Sequence, residues 1–192
     1  MAAGYEGTSL SDLTAVMGIG SPSLYAAFGD KEPLFREAVG LYQRTVGGRT
    51  RRALRDEPSA HAAVDAMLRD NAVEYTDGGH PNGCMVILAA INCTAANQGV
   101  RDFLTERRRS TRLELETRLR ESVQSGDLPP GTDVVGMTRF YTAVLFGLSL
   151  QSGDGATLGE LTAVVDAAMA KWRYYTRDGA AGCGDAGGAA LA

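Results

Sequence analysis

The sequence has few cysteines, a small net charge and no long apolar run, and each of these features excludes a class of protein. Its three cysteines, Cys84, Cys93 and Cys183, are too few and too scattered among 192 residues for a disulfide framework. The net charge is −4, which excludes binding to nucleic acid by bulk charge but not through a local face. The longest apolar run, 84–91, is far below the roughly 20 residues of a membrane-spanning helix, and no secretory signal opens the chain. These features predict a cytoplasmic protein with free thiols and no membrane partner.

Strand signals are also missing, because no segment alternates apolar and polar residues between turn dipeptides. Glycine- and proline-rich breakers lie at 77–83, 126–131 and 153–155, and the apolar residues between them recur every three or four positions. We therefore predict an all-α fold, with helices over about 98–124, 132–152 and 157–173. The capping box of Thr157 and Glu160 marks the start of the last of these. We further expect one helix from Asp30 to an arginine cluster ending at Arg55, and a fully apolar central helix over 86–91.

The first 30 residues contain two short predicted helices around a glycine turn. Ser9 is a candidate N-cap for the first helix, with Asp12 as its reciprocal partner. The segment 18–20 then breaks the chain, Ser21 is the expected cap of the second helix, and Asp30 is the expected cap of the third. Two short helices joined by such a turn are typical of a helix-turn-helix, whose second helix enters the major groove of DNA.

The ordered residues between Gly4 and Phe35 resemble the TetR-type bacterial transcriptional repressors. The resemblance rests on the segment 4–9, on Leu13, and on the runs 17–19, 21–25, 31–32 and 34–35 with Phe28 between them. It implies a helix-turn-helix DNA-binding segment over residues 1–47 and a helical-bundle domain for ligand binding and dimerisation over 48–176. A glycine- and alanine-rich tail, 177–192, is expected to be disordered.

The resemblance also assigns roles in DNA binding. Thr8, Tyr25 and Lys31 would contact backbone phosphates, while Ser21, Pro22 and Ser23 would lie on the groove floor. The exposed residues of the second helix are small, so we expect few bidentate base contacts and some reading of DNA shape. The family carries a first helix before the segment that begins at Gly4, and we expect that helix to be missing here. Residues 1–48 hold three basic and five acidic side chains, which is unfavourable for a DNA-binding face.

In the larger domain, the resemblance implies a small-molecule pocket among central helices and a dimer interface formed by the last two. Asn92 is a candidate hydrogen-bonding group in that pocket, with a structural asparagine as the alternative. Five aromatic or apolar residues are candidates for lining the same pocket, with packing in the core as the alternative: Tyr75, Leu88, Phe103, Phe140 and Tyr141. The expected dimer contacts are Val144, Leu148, Leu161, Val165 and Ala168.

Other chemistries find no support in the residues. No nucleophile with a partnering base stands out, and no phosphate-binding glycine loop is present, so we expect no enzyme activity and no cofactor. Cys84 and Cys93, nine residues apart, would face opposite sides of one helix and are expected to be inert thiols rather than metal ligands. The arginines at 107–112 have Glu106, Glu114 and Glu116 beside them, and this mixture of charges favours a solvated helix face over a nucleic-acid patch. The sequence thus predicts a dimeric, effector-responsive repressor of a pseudo-palindromic operator. The alternative is a ligand- or partner-binding dimer that does not bind DNA.

Overall fold

The computed structural model describes residues 4–91 and 93–176, and every regular element in them is helical. The predicted tail, Asn92 and Cys183 lie outside the described residues. No described helix is long and apolar enough to cross a membrane. The α-helices are α1 (Leu10–Met17), α2 (Ser21–Phe28), α3 (Lys31–Arg44), α4 (Arg49–Asp56), α5 (Ala60–Thr76), α6 (Met85–Leu88), α7 (Gln98–Ser125), α8 (Val134–Gly153), α9 (Leu158–Met169) and α10 (Trp172–Tyr175).

The caps expected for α1, α3 and α9 are present, and one detail of α2 differs. The Ser9 side chain accepts a hydrogen bond from the Asp12 amide, and the Asp12 carboxylate accepts one from the Ser9 amide. At α2 the N-cap is Gly20, not Ser21, because Gly20 is the last residue in an extended conformation (φ −80°, ψ 154°). Ser21 and Pro22 therefore occupy the first two helical positions, where Pro needs no amide hydrogen.

The helix expected from Asp30 to Arg55 is two helices. α3 ends at Arg44, a 3₁₀ turn covers Val46–Gly48, and α4 starts at Arg49. Gly47 lies in that turn, where a Cβ would lie 2.6 Å from the ring of Tyr42 and a larger residue would not fit. The arginine cluster consequently forms α4 itself instead of the end of α3.

The apolar segment after the first breaker is also shorter as a helix than predicted. α6 ends at Leu88, and Ile91 is 53% exposed, although Val86 and Ala90 are buried. Cys84 precedes α6 and Cys93 follows its end, so the two thiols do not share a helix as the spacing argument assumed. The last predicted helix likewise ends at Met169, and Trp172 begins the separate α10.

Two apolar clusters hold these helices together. The larger lies among α4, α5, α7, α8, α9 and α10 and contains Met67, Leu68, Leu148 and Leu161 with no exposed surface. The smaller joins Tyr5, Phe35 and Val39 to α6 and the start of α7. The N-terminal helices therefore rest on the bundle through α3 and the segment before α1.

Candidate functional site

The start of α2 is an exposed polar surface on a buried anchor. Ser21, Pro22 and Ser23 are all exposed, whereas Leu24 is completely buried. Tyr25, the next residue, is 49% exposed. Because α2 is short and capped by turns at both ends, these side chains are presented at the end of a helix, as major-groove recognition requires.

Thr8 and Lys31 flank this surface and already have partners in the protein. The Thr8 hydroxyl donates to the Gly4 carbonyl over 2.8 Å. The Lys31 ammonium lies 4.3 Å from the centre of the Tyr5 ring, a cation–π contact. A phosphate contact by either side chain therefore adds to, or replaces, a contact within the chain.

Positive charge near α2 is sparse, as the sequence indicated. Arg36 donates to Glu32 over 2.7 Å and stacks its guanidinium 4.5 Å from the Phe103 ring. Lys31 is thus the basic side chain of the N-terminal region that stands beside α2. Hydroxyls and backbone amides must supply most polar contacts of this surface with a ligand.

The segment before α1 is tied to the bundle by residues that the sequence analysis did not single out. The Tyr5 amide donates to the Ala89 carbonyl over 2.8 Å, and the Tyr5 ring packs edge-on against Phe35. The Glu6 carboxylate accepts from the Thr94 amide and hydroxyl and from Asn97, each over 2.7 Å. These hydrogen bonds lower the pKa of Glu6. Their partners lie almost 90 positions away, so no local pattern reveals them.

Two neighbouring cavities lie where α3 and α4 meet the bundle, and they share the side chains of Tyr42 and Cys84. The hinge cavity, about 200 Å³, is bounded by Tyr42, Val46, the segment 80–85, Leu88 and Ala89. The inner cavity, about 50 Å³, is bounded by Thr50, Asn71, Tyr75 and Arg108 among others. The inner cavity has room for one or two water molecules, whereas the hinge cavity has room for a small organic molecule.

Gly83 shapes the wall of the hinge cavity. It has a φ of +83°, and a Cβ at this position would lie 2.7 Å from the Ser149 carbonyl oxygen. Its amide donates to the Tyr75 carbonyl, and the next amide, of Cys84, donates to the Ser149 hydroxyl over 2.8 Å. The segment 80–85, the wall segment of the hinge cavity, is therefore fixed to α5 and α8. The breaker predicted from the sequence is thus an ordered part of the cavity boundary.

Burial shifts the pKa of three polar groups that bound the cavities. Burial raises the pKa of the Cys84 thiol, which keeps it protonated near neutral pH. Burial likewise raises the pKa of Tyr42 and lowers that of the Arg108 guanidinium, which donates to the Val86 carbonyl over 2.9 Å. The Tyr42 hydroxyl is fully buried and makes no hydrogen bond of normal geometry.

A buried carboxylate joins α4, α5 and the wall segment. Glu74 is 3% exposed, and its two oxygens contact Arg49 Nε and, over 2.7 Å, His80 Nε2. Arg49 is the first residue of α4, while His80 bounds the hinge cavity. Glu74 thereby links the segment 80–85 to the start of α4 through one side chain.

The predicted pocket residues do not come together. Tyr75 bounds the inner cavity and Leu88 the hinge cavity. Phe103 instead lies under the guanidinium groups of Arg36 and Arg107. Phe140 and Tyr141 pack with Trp172 and Tyr175 in an aromatic cluster at α10, so core packing is the better interpretation for them. Asn92, the remaining candidate, lies outside the described residues.

The predicted dimer contacts lie in the core of a single protomer. Leu148, Leu161 and Val165 have no exposed surface, and Ala168 is 5% exposed, because all four fill the bundle core of one protomer. Val144 is partly buried against the same core. The apolar stripes of α8 and α9 were read correctly as buried faces, but the chain itself buries them. The faces left exposed carry Leu150 and Leu158, 50% and 42% exposed.

Two polar residues of this region were missed by the sequence analysis: Tyr42 and Glu74. Arg108 was assigned to a solvated helix face, but it is partly buried and its guanidinium donates to the Val86 carbonyl. Only tertiary contacts distinguish these residues from their helical neighbours. Glu74 carried the one usable signal, because it shares a buried face of α5 with the apolar Ala60, Val64 and Met67, which Asn71 alone among the other members interrupts. Across residues 4–91 and 93–176, no group of three metal-ligating side chains is found.

Comparison with protein families gives two matches along the chain. The family described as bacterial regulatory proteins, tetR family, matches residues 1–38, and the tetracyclin repressor-like C-terminal domain matches residues 60–153. The first match covers the helix-turn-helix and the second covers α5 to α8. A DNA-binding module in the first 38 residues counts against the alternative of a dimer that does not bind DNA.

Individual proteins agree with these matches. The chain is 28% identical to the HTH-type transcriptional repressor ComR of Escherichia coli K12, covering 88% of this chain and 81% of ComR. It is 30% identical to the repressor BdcR of the same organism, covering 87% and 79%.

Solved structures show the same architecture. A cysteine mutant of the TetR family transcriptional regulator CifR, complexed with a 26-bp double-strand operator DNA, superposes with a TM-score of 0.86 at 42% identity, covering 88% of this chain and 89% of that one. A putative TetR regulator from Rhodococcus sp. RHA1 gives a TM-score of 0.61 at 36% identity, with 91% of both chains covered. Sequence, helix order and these similarities lead to one conclusion: the chain is a transcriptional regulator of the TetR family.

Proposed function

We propose that the chain represses transcription as a homodimer that binds a pseudo-palindromic operator and leaves it when a small molecule binds the bundle. The observation that carries this proposal is the surface at the start of α2, where Ser21, Pro22 and Ser23 are exposed above the buried Leu24. A similar protein, CifR, is complexed with operator DNA. A repressor acts in the cytoplasm, where bacterial DNA lies, and the proposal includes no catalytic step.

Within the proposed arrangement, residues 1–47 bind DNA and residues 48–176 bind the effector and the second protomer. Thr8, Tyr25 and Lys31 position the motif on phosphates, and the residues at 21–23 face the bases. Few basic side chains surround α2, so we expect shape and backbone contacts to contribute much of the specificity.

The second protomer is proposed to dock on the exposed faces of α8 and α9. These faces carry the apolar Leu150 and Leu158 and the small residues Ala143, Gly147 and Ala163. Gly147 has open space beyond its Cα, which lets another helix approach closely. A four-helix interface of this kind relates the two copies of α2 by a two-fold axis, as a palindromic operator requires.

Operator binding is tested with DNA selected by the wild-type protein from a random library. Fluorescence anisotropy on the selected site is expected to give a dissociation constant on the order of 10⁻⁸ M in moderate salt. Ser23→Asp places a negative charge against the groove and is expected to weaken binding at least about a hundredfold. Thr117→Asp adds the same charge to an exposed position of α7 and serves as the control. Equal affinities for the two variants, or a selection that enriches no sequence, contradict the proposal.

A further inference from the structure

The N-terminal region meets the bundle on one small surface near the start of α7. This surface, the platform, is formed by the residues that exchange hydrogen bonds with the N-terminal region: Ala89, Thr94, Asn97 and Gly99. Tyr5 and Glu6 bind the platform ahead of α1, and Arg36 binds it from α3, where its guanidinium donates to the Gly99 carbonyl over 3.3 Å. Because α1 and α2 lie between these attachments in the chain, both ends of the helix pair are held by the platform.

The attachment through Tyr5 is mainly apolar. Its side chain is 6% exposed and packs edge-on against Phe35, in the smaller cluster that includes α6 and the start of α7. Hydrophobic burial is non-directional, so it holds this segment on the bundle without fixing an angle. The one hydrogen bond beside it, from the Tyr5 amide to the Ala89 carbonyl over 2.8 Å, leaves rotation about that point free.

Glu6 supplies the directional contacts. Its Oε1 accepts from the amide and the hydroxyl of Thr94 and from Asn97 Nδ2, each over 2.7 Å. Hydrogen bonds to a carboxylate are short, are stronger than those between neutral groups, and weaken steeply when misaligned. Thr94 and Asn97 lie in the turn that leads into α7, which runs for 28 residues. The carboxylate therefore orients the segment before α1 relative to a long, stiff helix of the bundle.

The spacing of operator half-sites is the property that this orientation controls. In the proposed dimer, two copies of α2 enter major grooves about one helical turn apart, or a multiple of it. One added base pair moves a half-site by about 3.4 Å and turns it by roughly 34° about the DNA axis. A firmly oriented α2 cannot follow that change, whereas an α2 that rotates about Tyr5 follows it at a small cost in free energy.

We infer that Glu6 is a positioning residue for DNA binding: its hydrogen bonds to Thr94 and Asn97 fix the orientation of α1 and α2 on the bundle, and thereby the half-site spacing that the dimer accepts. The spacing part of this inference rests on the proposed function. The orienting part concerns the free protein and is measured without DNA.

Two operators that differ only in spacing test the spacing part by fluorescence anisotropy. The site selected by the wild-type protein is compared with the same site lengthened by one central base pair. We expect wild type to prefer the original site at least about thirtyfold, and Glu6→Ala to lower this ratio to about fivefold or less. Glu6→Gln keeps an acceptor oxygen without the charge and is expected to give an intermediate ratio. Glu37→Ala, at an exposed position of α3, is the control and is expected to keep the wild-type ratio.

The platform offers a matched test from the other side of the contact. Asn97→Ala removes one of the three hydrogen bonds, so its spacing ratio is expected to lie between those of wild type and Glu6→Ala. The double variant is expected to have the same ratio as Glu6→Ala alone, because the partner of Asn97 is already gone. A further drop in the double variant would overturn the pairing of these two side chains.

Residual dipolar couplings of the backbone amides measure the orienting part in the free protein. In wild type, the couplings of α1, α2 and the bundle are expected to fit one alignment tensor. In Glu6→Ala, the couplings of α1 and α2 are expected to shrink, while those of α5 and α8 stay unchanged. Far-UV circular dichroism is expected to show wild-type helix content in this variant, since Glu6 is exposed.

Each unfavourable result has a separate meaning. Equal spacing ratios for wild type and Glu6→Ala, or affinity lost by the same factor on both operators, overturn the spacing role. Couplings of Glu6→Ala that still fit one tensor overturn the orienting role. Absence of DNA binding by the wild-type protein at either spacing refutes the proposed function and the spacing role with it, whereas the couplings still test whether Glu6 orients α1 and α2.

Discussion

The N-terminal helices and the bundle differ in what holds them in place. Helices α1 and α2 bury one residue each, Thr14 and Leu24, and depend on caps and turns for their shape. The bundle shares a continuous core in which α5 and α8 each bury nine residues. The comparison teaches that the DNA-binding surface is locally specified and weakly anchored, whereas the cavities depend on a cooperative core. A weakly anchored region is also the one that a ligand can displace with the least free energy.

The largest expected effect on stability comes from shortening a buried leucine in the bundle. Leu148 is completely buried in the core, and Leu148→Ala removes several methyl and methylene groups from it. We expect the free energy of unfolding to fall by about 2–5 kcal/mol. Urea unfolding followed by far-UV circular dichroism measures this loss as a lower midpoint. A midpoint unchanged from wild type would contradict the assignment of Leu148 to the core.

Leu24→Ala is the matched change in the N-terminal region, because Leu24 is buried to the same extent. We expect it to release α2 locally, so operator affinity falls about a hundredfold or more, given a local destabilisation of about 3 kcal/mol. The urea midpoint of the bundle is expected to move much less than with Leu148→Ala. Hydrogen exchange is expected to rise in α1 and α2 alone. A shared loss of protection in α5 and α8 would show that the two regions unfold as one.

The same contrast explains what the sequence could predict. Ser9 with Asp12, and Thr157 with Glu160, are reciprocal caps formed within four residues, so the starts of their helices were predicted to within a residue. The exposed surface at 21–23 follows from the local turn and was likewise readable. Only the cap of α2 was displaced by one residue, to Gly20.

The cavities were beyond the sequence because their residues meet across long separations. Tyr42 and Cys84 come from α3 and from the wall segment, and Glu74 finds Arg49 across 25 positions. Periodicity identified the buried faces of α8 and α9 but carries no information on whether the same chain or a second one covers them. The helix that the pattern continued to Arg55 ends at Arg44, before a turn in which Gly47 packs against the ring of Tyr42.

Glu74→Gln tests the buried contact that links α4, α5 and the segment 80–85 within the larger domain. The substitution keeps the volume but removes the charge that contacts Arg49 and His80, so we expect a loss of about 1–3 kcal/mol. The control is Asp65→Asn, which weakens an exposed pair with Arg69 and is expected to change stability by less than about 1 kcal/mol. Thermal unfolding measures both. Similar shifts in melting temperature for the two variants would mean that the contacts of Glu74 with Arg49 and His80 do not stabilise the fold.

The smallest effect concerns Glu6, the tie between the segment before α1 and the residues ahead of α7. Hydrogen bonds from Asn97 and Thr94 lower the pKa of Glu6 in the folded protein below its ordinary value near 4.5. Its contribution to stability is therefore fully present above pH 4.5 and is lost as the pH falls through the lower folded value. Glu6→Gln keeps the volume but removes this titration, so the difference in melting temperature between wild type and variant should shrink on acidification.

The difference between the two regions also predicts where in the molecule this effect appears. Because the tie of Glu6 holds the N-terminal region and not the bundle, the pH-dependent difference is expected in the hydrogen exchange of residues 4–17 and not in that of α5. The matched control is Glu160→Gln in the capping box of α9, where hydrogen bonds with Thr157 lower a similarly exposed carboxyl pKa. Its pH-dependent difference is expected in α9 alone. A Glu6 effect that grows on acidification, or that appears in α5, would contradict the assigned tie, because a carboxylate stabilised in the folded state can only lose that stabilisation as protons bind.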